Sequence, residues 1–385
     1  ALHHAGIGVG DRVGIVMSNG LPMVQALFGT MAAGACSVPI NLSVSDDALV
    51  SMLADAGVCA LVVSEDQLPR LRAIEQQLPE TITVRITEGA GGVGWIGLDA
   101  FVSNKPETLP GAAIADDTPL NIIYSSGTTG LPKGILHTQR GRRDWAYDLA
   151  IALRYHGRAR TLLTIGLYSN ISWVAMLCTL LAGGTLVVHR RFDAAAFLDT
   201  VAAESITHTA MVPIQFQRVV ELQQQQPREL NSMHAMMSCG SPLHEQLKRD
   251  IFALFPCGIV ELYGLTEGII TTLEPEDAQG RWSSVGKPLI GTDIGIVGDD
   301  DQPVPAGASG EIVSRGRITM PGYWNRDEAS REAEYVDDKG VQWLRSGDIG
   351  YLDDEGFLFI VDRKKDMILS GGQNIYPVSY THLTL

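Results

Sequence analysis

The stretch Tyr124-Ser-Ser-Gly-Thr-Thr-Gly-Leu-Pro-Lys-Gly134 follows an apolar run at 120–123 that has the length of a buried strand. Gly127 and Gly130 allow the backbone to turn so that successive N–H groups converge on one anion. Lys133 adds a compact positive charge. The stretch is not a Walker loop, because that motif places its lysine directly after the second glycine. It therefore predicts a phosphate-binding loop, with hydroxyl donors at Ser125, Ser126, Thr128 and Thr129.

Around this loop, short apolar runs alternate with helical patterns, which is typical of βα units on a mostly parallel sheet. We expect strands at 12–17, 36–40, 58–63, 162–165, 185–188, 208–211, 235–238 and 258–262. Helices are expected at 22–33, 46–56, 173–182, 194–204 and 244–254. After about Gly286 the pattern changes to short alternating runs separated by Pro, Gly and Asp. These runs, at 293–297, 310–314 and 356–361, predict hairpins of a small β-barrel-like subdomain.

The composition limits the class of protein. A net charge of −15 argues against a nucleic-acid partner, which would require a basic face. The five cysteines are scattered and never form a Cys-x-x-Cys pair, which favours reduced thiols and a cytoplasmic location. The apolar stretch 171–188 is about long enough to span a bilayer. Because Gly183-Gly184 divides it, we expect a buried helix, a turn and a buried strand, and no membrane span.

Two weaker patterns have plainer interpretations. The run Gly89-Ala-Gly-Gly-Val-Gly94 matches the dinucleotide fingerprint G-x-G-x-x-G. No strong helix follows it and no acidic residue ends a second strand, so a flexible glycine loop is favoured. His137 is expected to be structural, and the cluster Arg140, Arg142 and Arg143 to form a solvated helix face.

Three further segments occur in a fixed order after the phosphate loop. They are Glu261-Leu-Tyr-Gly-Leu-Thr-Glu267, Leu344-Arg-Ser-Gly-Asp348, and the pair formed by 360–368 and Gly371-Gly-Gln-Asn-Ile-Tyr-Pro377. Together with the loop, they resemble the signatures of the adenylate-forming superfamily of AMP-dependent synthetases and ligases, in its acyl- and aryl-CoA synthetase branch. The resemblance extends over 11–377, and Ser346 stands where the family usually has Thr.

This resemblance implies an α/β fold with two flavodoxin-like βα subdomains, mostly parallel sheets and a small β-barrel-like subdomain. It implies that ATP and a carboxylic acid form an acyl-AMP with release of pyrophosphate, and that CoA then forms the thioester. The implied catalytic residues are Thr266, Glu267 and Lys133, and Glu267 would hold Mg²⁺. The implied nucleotide-binding residues are Ser125, Ser126, Gly127, Thr128, Thr129, Gly130, Gly240, Ser241, Tyr263, Gly264, Asp348 and Arg363.

The same resemblance sets the expected boundaries. Residues 1–362 would form the large adenylation domain, with its β-rich part at about 286–361. Residues 363–377 would hold the hinge, at Lys365, and the first residues of a C-terminal domain, and 378–385 an atypical tail. We expect the rest of that domain, with its catalytic lysine, to be missing and adenylation by this chain to be slow. A homodimer is a possible assembly.

The acid is predicted only by class. A pocket formed by Tyr168, Trp173, Val212 and Cys239 would be apolar and suit a fatty or aromatic acid. Ser169 stands where amino-acid-activating relatives have an Asp, so an ammonium would lack its partner and a plain carboxylic acid is favoured. Two alternatives remain open: loading of a carrier protein, and an inactive nucleotide-binding fragment. For the arginine cluster, docking of CoA phosphates is the alternative to a solvated face.

Overall fold

The computed structural model of the chain describes residues 1–103, 113–125, 132–363, 368–370 and 373–375, from residue 362 onward by the backbone alone. Within these ranges the strands form three main sheets and one short hairpin. The first sheet contains β1 (Arg12–Val16), β2 (Cys36–Pro39), β3 (Ala60–Val63), β4 (Val84–Thr87), β5 (Gly91–Gly92), β6 (Trp95–Gly97), β7 (Pro119–Ser125) and β8 (Lys133–Thr138). Their order is β5-β6-β4-β3-β1-β2-β7-β8, and the pairs are parallel except β5–β6 and β7–β8.

Five α-helices lie in the described residues of the first part, and two of them begin at side-chain caps. The five are α1 (Leu21–Ala32), α2 (Asp46–Asp55), α3 (Leu68–Ala73), α4 (Leu98–Val102) and α5 (Gln139–Ala152). Ser45 caps α2 by accepting a hydrogen bond from the Ala48 N–H, and two aspartates in the first turn favour the same end. Thr138 caps α5 in the same way through the Gly141 N–H. The cap therefore fixes where β8 ends and α5 begins.

The second sheet is parallel over most of its width. Its strands are β9 (Arg160–Leu163), β10 (Thr185–Val188), β11 (His208–Met211), β12 (Ala235–Ser238), β13 (Val260–Leu265), β14 (Ile269–Leu273) and β15 (Lys287–Pro288). The order is β10-β9-β11-β12-β13-β14-β15, and β13, β14 and β15 pair in antiparallel fashion. The helices are α6 (Asn170–Leu181), α7 (Ala194–Glu204), α8 (Pro213–Gln225) and α9 (Glu245–Leu254).

The third sheet is antiparallel and curls around the long strand β19. It contains β16 (Thr292–Val297), β17 (Gly310–Gly316), β18 (Glu334–Val336), β19 (Gln342–Leu352) and β20 (Leu358–Arg363), with α10 (Asp327–Glu332) before β18. One edge of β19 pairs with β17, and the other pairs first with β18 and then with β20. A separate hairpin of β21 (Ile368–Ser370) and β22 (Gln373–Ile375) follows. The predicted α/β class with a barrel-like β part is confirmed.

Two expectations about apolar or glycine-rich stretches have clear outcomes. The stretch 171–188 forms most of α6, a turn at Gly183 with φ 79°, and β10, as predicted. The expected burial of the strand is wrong, because β10 lies at the edge of the second sheet and its residues are half-buried or exposed. Within the described ranges, no helix combines the length and the apolar character needed to cross a bilayer. The expected flexible loop at 89–94 is wrong, because the glycines form the β5–β6 hairpin at the sheet edge. A Cβ at Gly91 would lie 2.6 Å from the Gly97 nitrogen, so only glycine permits this approach.

The segment between β17 and α10 joins the third sheet to the first. The Trp324 N–H donates to the Gly134 carbonyl at 2.7 Å, and Tyr323 forms a bridge with Ile135. The Arg326 guanidinium pairs with Asp55 at 2.7 Å, near the end of α2. A small core cluster of Ile135, Ile269, Met320 and Leu344 fills the junction of the three sheets. Ile135, Ile269 and Leu344 lie within two residues of, or inside, the motifs at 124–134, 261–267 and 344–348.

Candidate active site

The two ends of the phosphate loop are held by strand pairing. Ser125 is the last residue of β7 and lies opposite Lys133, the first residue of β8. The two strands that flank the loop in the sequence therefore form an antiparallel pair, and β8 is the edge strand of the first sheet. The predicted residues Ser126, Gly127, Thr128, Thr129 and Gly130 lie outside the described residues.

Lys133 and Glu267 approach the same tyrosine. The Tyr323 hydroxyl donates a hydrogen bond to Glu267 Oε1 at 3.0 Å. The Lys133 ammonium lies 4.9 Å from the centroid of the Tyr323 ring, within the range of a cation–π interaction. All three side chains are half-buried. Tyr323 thus links two residues predicted to be catalytic, although the sequence analysis did not name it.

Thr266 and Glu267 lie in the turn between β13 and β14. This turn presses against the segment after β17, because the Met320 N–H donates to the Glu267 carbonyl at 2.8 Å. Gly268, with φ 113°, makes the contact possible, since a Cβ there would lie 2.6 Å from Thr319 Cα. The backbone of the turn is therefore fixed on both sides, and Thr266 is held beside Glu267.

Asp348 and Tyr263 also meet, although they come from different sheets. The Tyr263 hydroxyl donates to Asp348 Oδ2 at 2.7 Å. Asp348 is only 2% exposed, and its own N–H donates to Ser346 Oγ at 2.9 Å. In the β19–β20 pairing, Asp348 lies opposite Arg363, whose side chain is outside the described residues, as is Lys365. The serine that replaces the family's usual threonine thus supplies a hydroxyl that orders the turn before Asp348.

The residues predicted around the adenine ring are near β12 and β13. Gly240 and Ser241 follow the end of β12, and Gly240 has φ 93°. Gly264 lies within β13, where a Cβ would come 2.4 Å from the Ile269 carbonyl of β14. Glycine at 264 therefore has a packing reason that is independent of any nucleotide.

The residues predicted for the acid pocket lie before or within α6 and directly after β11 and β12. Trp173 is fully buried, and its indole N–H donates to the Leu167 carbonyl at 2.8 Å. Trp173 and Cys239 belong to the same core cluster, and Val212 is buried at the cap of α8. Burial raises the pKa of the Cys239 thiol to about 12, so the thiol is neutral at ordinary pH. Tyr168 is half-buried and packs over Gly166.

The arginines that follow β8 do not form one solvated face. Arg143 is exposed and pairs with Asp116 at 2.9 Å, and Arg140 is exposed as well. Arg142 instead is 2% exposed, with its guanidinium 4.6 Å from the Trp145 ring and 5.2 Å from the Trp173 ring. The expectation of a solvated face is therefore wrong for Arg142, because its position on α5 faces the core. His137 is buried in β8, and burial holds the pKa of its ring well below the usual value.

A magnesium ion at Glu267 fits the chemistry of the donors nearby. Among the residues that the structure describes, no group of three or more His, Cys, Asp or Glu lies close enough together to hold a metal ion. A Mg²⁺ ion bound at the Glu267 carboxylate would therefore take its other ligands from water and phosphate oxygens, as Mg²⁺ does in many nucleotide sites.

Comparisons with known proteins agree with these features. The profile of a family described as AMP-binding enzyme matches residues 1–324. The long-chain-fatty-acid–CoA ligase FadD13 of Mycobacterium tuberculosis is 32% identical over 379 residues, which are 97% of this chain and 72% of the ligase. Indoleacetate–CoA ligase of Aromatoleum aromaticum is 33% identical over 392 residues, covering 100% of this chain and 74% of the ligase. The N-terminal domain of FACL13 from Mycobacterium tuberculosis superposes with a TM-score of 0.82 at 30% identity, covering 94% of this chain and 88% of that domain.

Proposed function

The chain belongs to the AMP-binding enzyme family, and we propose that it is an acid–thiol ligase that activates a fatty or aromatic acid with ATP and transfers it to CoA. A carboxylate oxygen of the acid attacks the α-phosphorus of ATP, and pyrophosphate leaves with the electrons of the broken P–O bond. The CoA thiolate then attacks the acyl carbon, and AMP leaves. The named relatives are CoA ligases, which favours CoA over a carrier protein as the acceptor.

The observation that supports this function best is the arrangement along the β13–β14 hairpin. Tyr263, which contacts Asp348, and Glu267, which contacts Tyr323, are four residues apart. In an extended strand this separation is at most about 13 Å. A nucleotide lying along the hairpin would thus have its ribose at Asp348 and its phosphates at Glu267 and Lys133.

Each of these residues has a role that suits its charge. The Asp348 carboxylate would accept hydrogen bonds from the ribose hydroxyls, with Arg363 assisting. Lys133 would stabilise the negative charge that develops on the phosphate oxygens, and Thr266 would donate to the α-phosphate. Glu267 would hold Mg²⁺, which supplies charge neutralisation when it is bound. The phosphate loop, residues 125–133, would enclose the β- and γ-phosphates.

The remaining features of the proposal concern the rest of the chain. We place the large domain at 1–362, with its β-rich part at 286–361, and a hinge at Lys365. The five cysteines are all free thiols, which supports a cytoplasmic location. The apolar surroundings of Trp173 and Cys239 support an acid with an apolar body.

A pyrophosphate-release assay with a panel of fatty and aromatic acids tests the function. We expect acid-dependent release that requires Mg²⁺, and an acyl-CoA product when CoA is added. Glu267→Gln should lower the rate about 10²-fold or more, because it removes a charged group that acts in the transition state. ATP binding without pyrophosphate release for any acid would favour the inactive-fragment alternative, and a parent that fails to bind ATP would refute the proposal.

A further inference from the structure

Arg142 is a buried cation whose outer nitrogens lack partners. It lies in α5, is 2% exposed, and uses Nε to donate to Asn121 Oδ1 at 2.9 Å. Within the described part of the chain, Nη1 and Nη2 have no hydrogen-bond partner. Two N–H₂ groups that point into the interior of the protein are therefore left without acceptors.

This arrangement is costly for a protein without a ligand. Buried charges are normally paired, because removing a charge from water is expensive unless an opposite charge or hydrogen bonds replace the solvent. Burial lowers the pKa of Arg142 to about 9, so the guanidinium is still mostly charged at neutral pH. The rings of Trp145 and Trp173 attract the positive charge, but they leave the outer N–H groups without oxygen acceptors.

Two polar side chains, Asn121 and His137, lie near Arg142. Asn121 on β7 lies directly opposite His137 on β8, so the two side chains leave the sheet on the same face. Asn121 Nδ2 and His137 Nε2 are also buried without a partner among the described residues. The carboxylate further along the same helix, Asp148, is already paired with Arg317. The cluster of Arg142, Asn121 and His137 is therefore positive, and an anionic group with two or more oxygens would satisfy its unpartnered donors, which are the outer nitrogens of Arg142 and Asn121 Nδ2.

Trp173 connects this cluster to the proposed acid pocket. The sequence predicts Trp173 in that pocket, and its indole ring lies 5.2 Å from the Arg142 guanidinium carbon. We propose that Arg142 binds a second anionic group, a carboxylate or a sulfonate, at the end of the acid substrate that is remote from the reacting carboxyl. This inference rests on the proposed function and narrows the substrate to acids that carry two anionic groups.

A phosphate of CoA is a poorer candidate for this position. Arg140 and Arg143 are exposed on the same helix and could meet a phosphate from solvent, whereas Arg142 faces inward. The bidentate geometry of a guanidinium matches a carboxylate or sulfonate of an acid that enters along Trp173.

Calorimetric binding of acids tests the inference on the whole chain. The titrations use Mg²⁺, a non-hydrolysable ATP analogue, and α,ω-dicarboxylic acids of increasing length, each compared with the monocarboxylic acid of the same length. We expect the parent to bind a diacid of suitable length about 10- to 100-fold more tightly than its monoacid, as for a charged hydrogen-bonded pair. Arg142→Met should abolish this preference, and Arg143→Met, the exposed neighbour, should retain it.

Thermal unfolding provides a second readout. Without any acid, Arg142→Met should unfold at about the same temperature as the parent or higher, because it removes a buried charge for which the described residues supply no anionic partner. Destabilisation larger than the loss of the Asn121 hydrogen bond and of the two ring contacts explains would show that the guanidinium already has an anionic partner, and it would refute the inference. If Arg142→Met does not fold, Arg142→Lys keeps the charge but loses the paired donors, and should reduce the diacid preference.

The outcomes separate the possible explanations. No diacid preference at any length in the parent, or a preference that survives in Arg142→Met, refutes the inference. Sulfate that stabilises the parent but not Arg142→Met, without any diacid preference, would mean that the cluster binds a free inorganic anion and that the substrate assignment is wrong. Failure of the parent to bind the ATP analogue refutes the proposed function instead. The diacid preference of the parent and its loss in Arg142→Met would then decide the inference about Arg142 on their own.

Discussion

Replacement of Tyr323 by Phe isolates one contact of the proposed active site. The change removes the hydroxyl that donates to Glu267 Oε1 at 3.0 Å and keeps the ring that faces the Lys133 ammonium at 4.9 Å. If Glu267 holds Mg²⁺, the hydrogen bond from this hydroxyl fixes the orientation of the carboxylate, as hydrogen bonds to metal ligands commonly do. We expect the metal response of the enzyme to weaken while the fold is unchanged.

The size of the effect follows from the environment of the contact. A hydrogen bond to a charged acceptor contributes about 1.5–3 kcal/mol, and the lower end applies here because both side chains are only half-buried. A loss of about 1.4 kcal/mol corresponds to about tenfold. We therefore expect the Mg²⁺ concentration that gives half-maximal ATP binding to rise about tenfold in Tyr323→Phe, which agrees with the range for outer partners of metal ligands.

The assay is calorimetric ATP binding across a Mg²⁺ titration and in EDTA. Tyr323→Phe should bind ATP in EDTA like the parent, because the ring under Lys133 remains. Tyr323→Ala also removes that ring and should weaken ATP binding in EDTA by about 0.5–1 kcal/mol. The matched control is Tyr335→Phe, which removes a tyrosine hydroxyl that donates to the Asp301 carbonyl at 2.9 Å, away from the site. A Tyr323→Phe variant with the parent's Mg²⁺ response would refute the reasoning.

Three further predictions test the ribose contact and the stability of the fold. Asp348→Ala should remove the parent's expected preference for ATP over 2′-deoxy-ATP, measured by competition binding, and a parent without that preference would argue against the ribose role. Lys248→Met should lower the free energy of unfolding in urea by about 3–5 kcal/mol, because it leaves the buried Glu261 carboxylate without its ion-pair partner. The double variant with Glu261→Gln should regain most of this stability. Burial lowers the pKa of His208 from 6.5 to about 4. Between these two pH values the His208 ring is protonated in the unfolded chain but not in the folded one, so the free energy of unfolding should fall by up to about 3 kcal/mol as the pH drops from 6.5 to 4. His208→Gln should flatten this acid dependence, and an unchanged slope would contradict it.

The sequence predicted the βα part of the fold well where strands are short, apolar and bounded by polar residues. The predicted bounds of β10, β11, β12 and α7 coincide with those in the structure. The end of β13 was placed too early, at 262, because its last residues are held by antiparallel pairing with β14. The β5–β6 hairpin was missed for the same kind of reason, since β6 exists through its pairing with β4. The pattern of residues within one strand does not show which neighbouring strand it pairs with.

For the site residues, the sequence likewise predicted some properties and not others. The chemistry of Asp348, Glu267 and Lys133 could be inferred from motifs, but the motifs do not state which of them share a neighbour. Tyr323 carries no charge and follows an ordinary Pro-Gly pair, so nothing in its local sequence marks it. Its position depends on contacts of the next residue, Trp324, with Gly134 and with Asp55, which are distant in the sequence.

Arg142 differs from Tyr323, because its sequence does contain a signal. The buried residues of α5 include Arg142, Trp145, Ala146 and Leu149, which follow the spacing of a core-facing helical stripe. An interpretation by residue type groups Arg142 with its exposed neighbours, whereas an interpretation by position places it on the buried face. Charged residues are rarely buried without a partner, so a charge that falls on an apolar stripe indicates either a wrong helix assignment or a missing partner. Here the helix is present and the described residues supply no anion for the outer nitrogens of Arg142. The missing partner is then best sought in the substrate, and the diacid titration is the measurement that decides it.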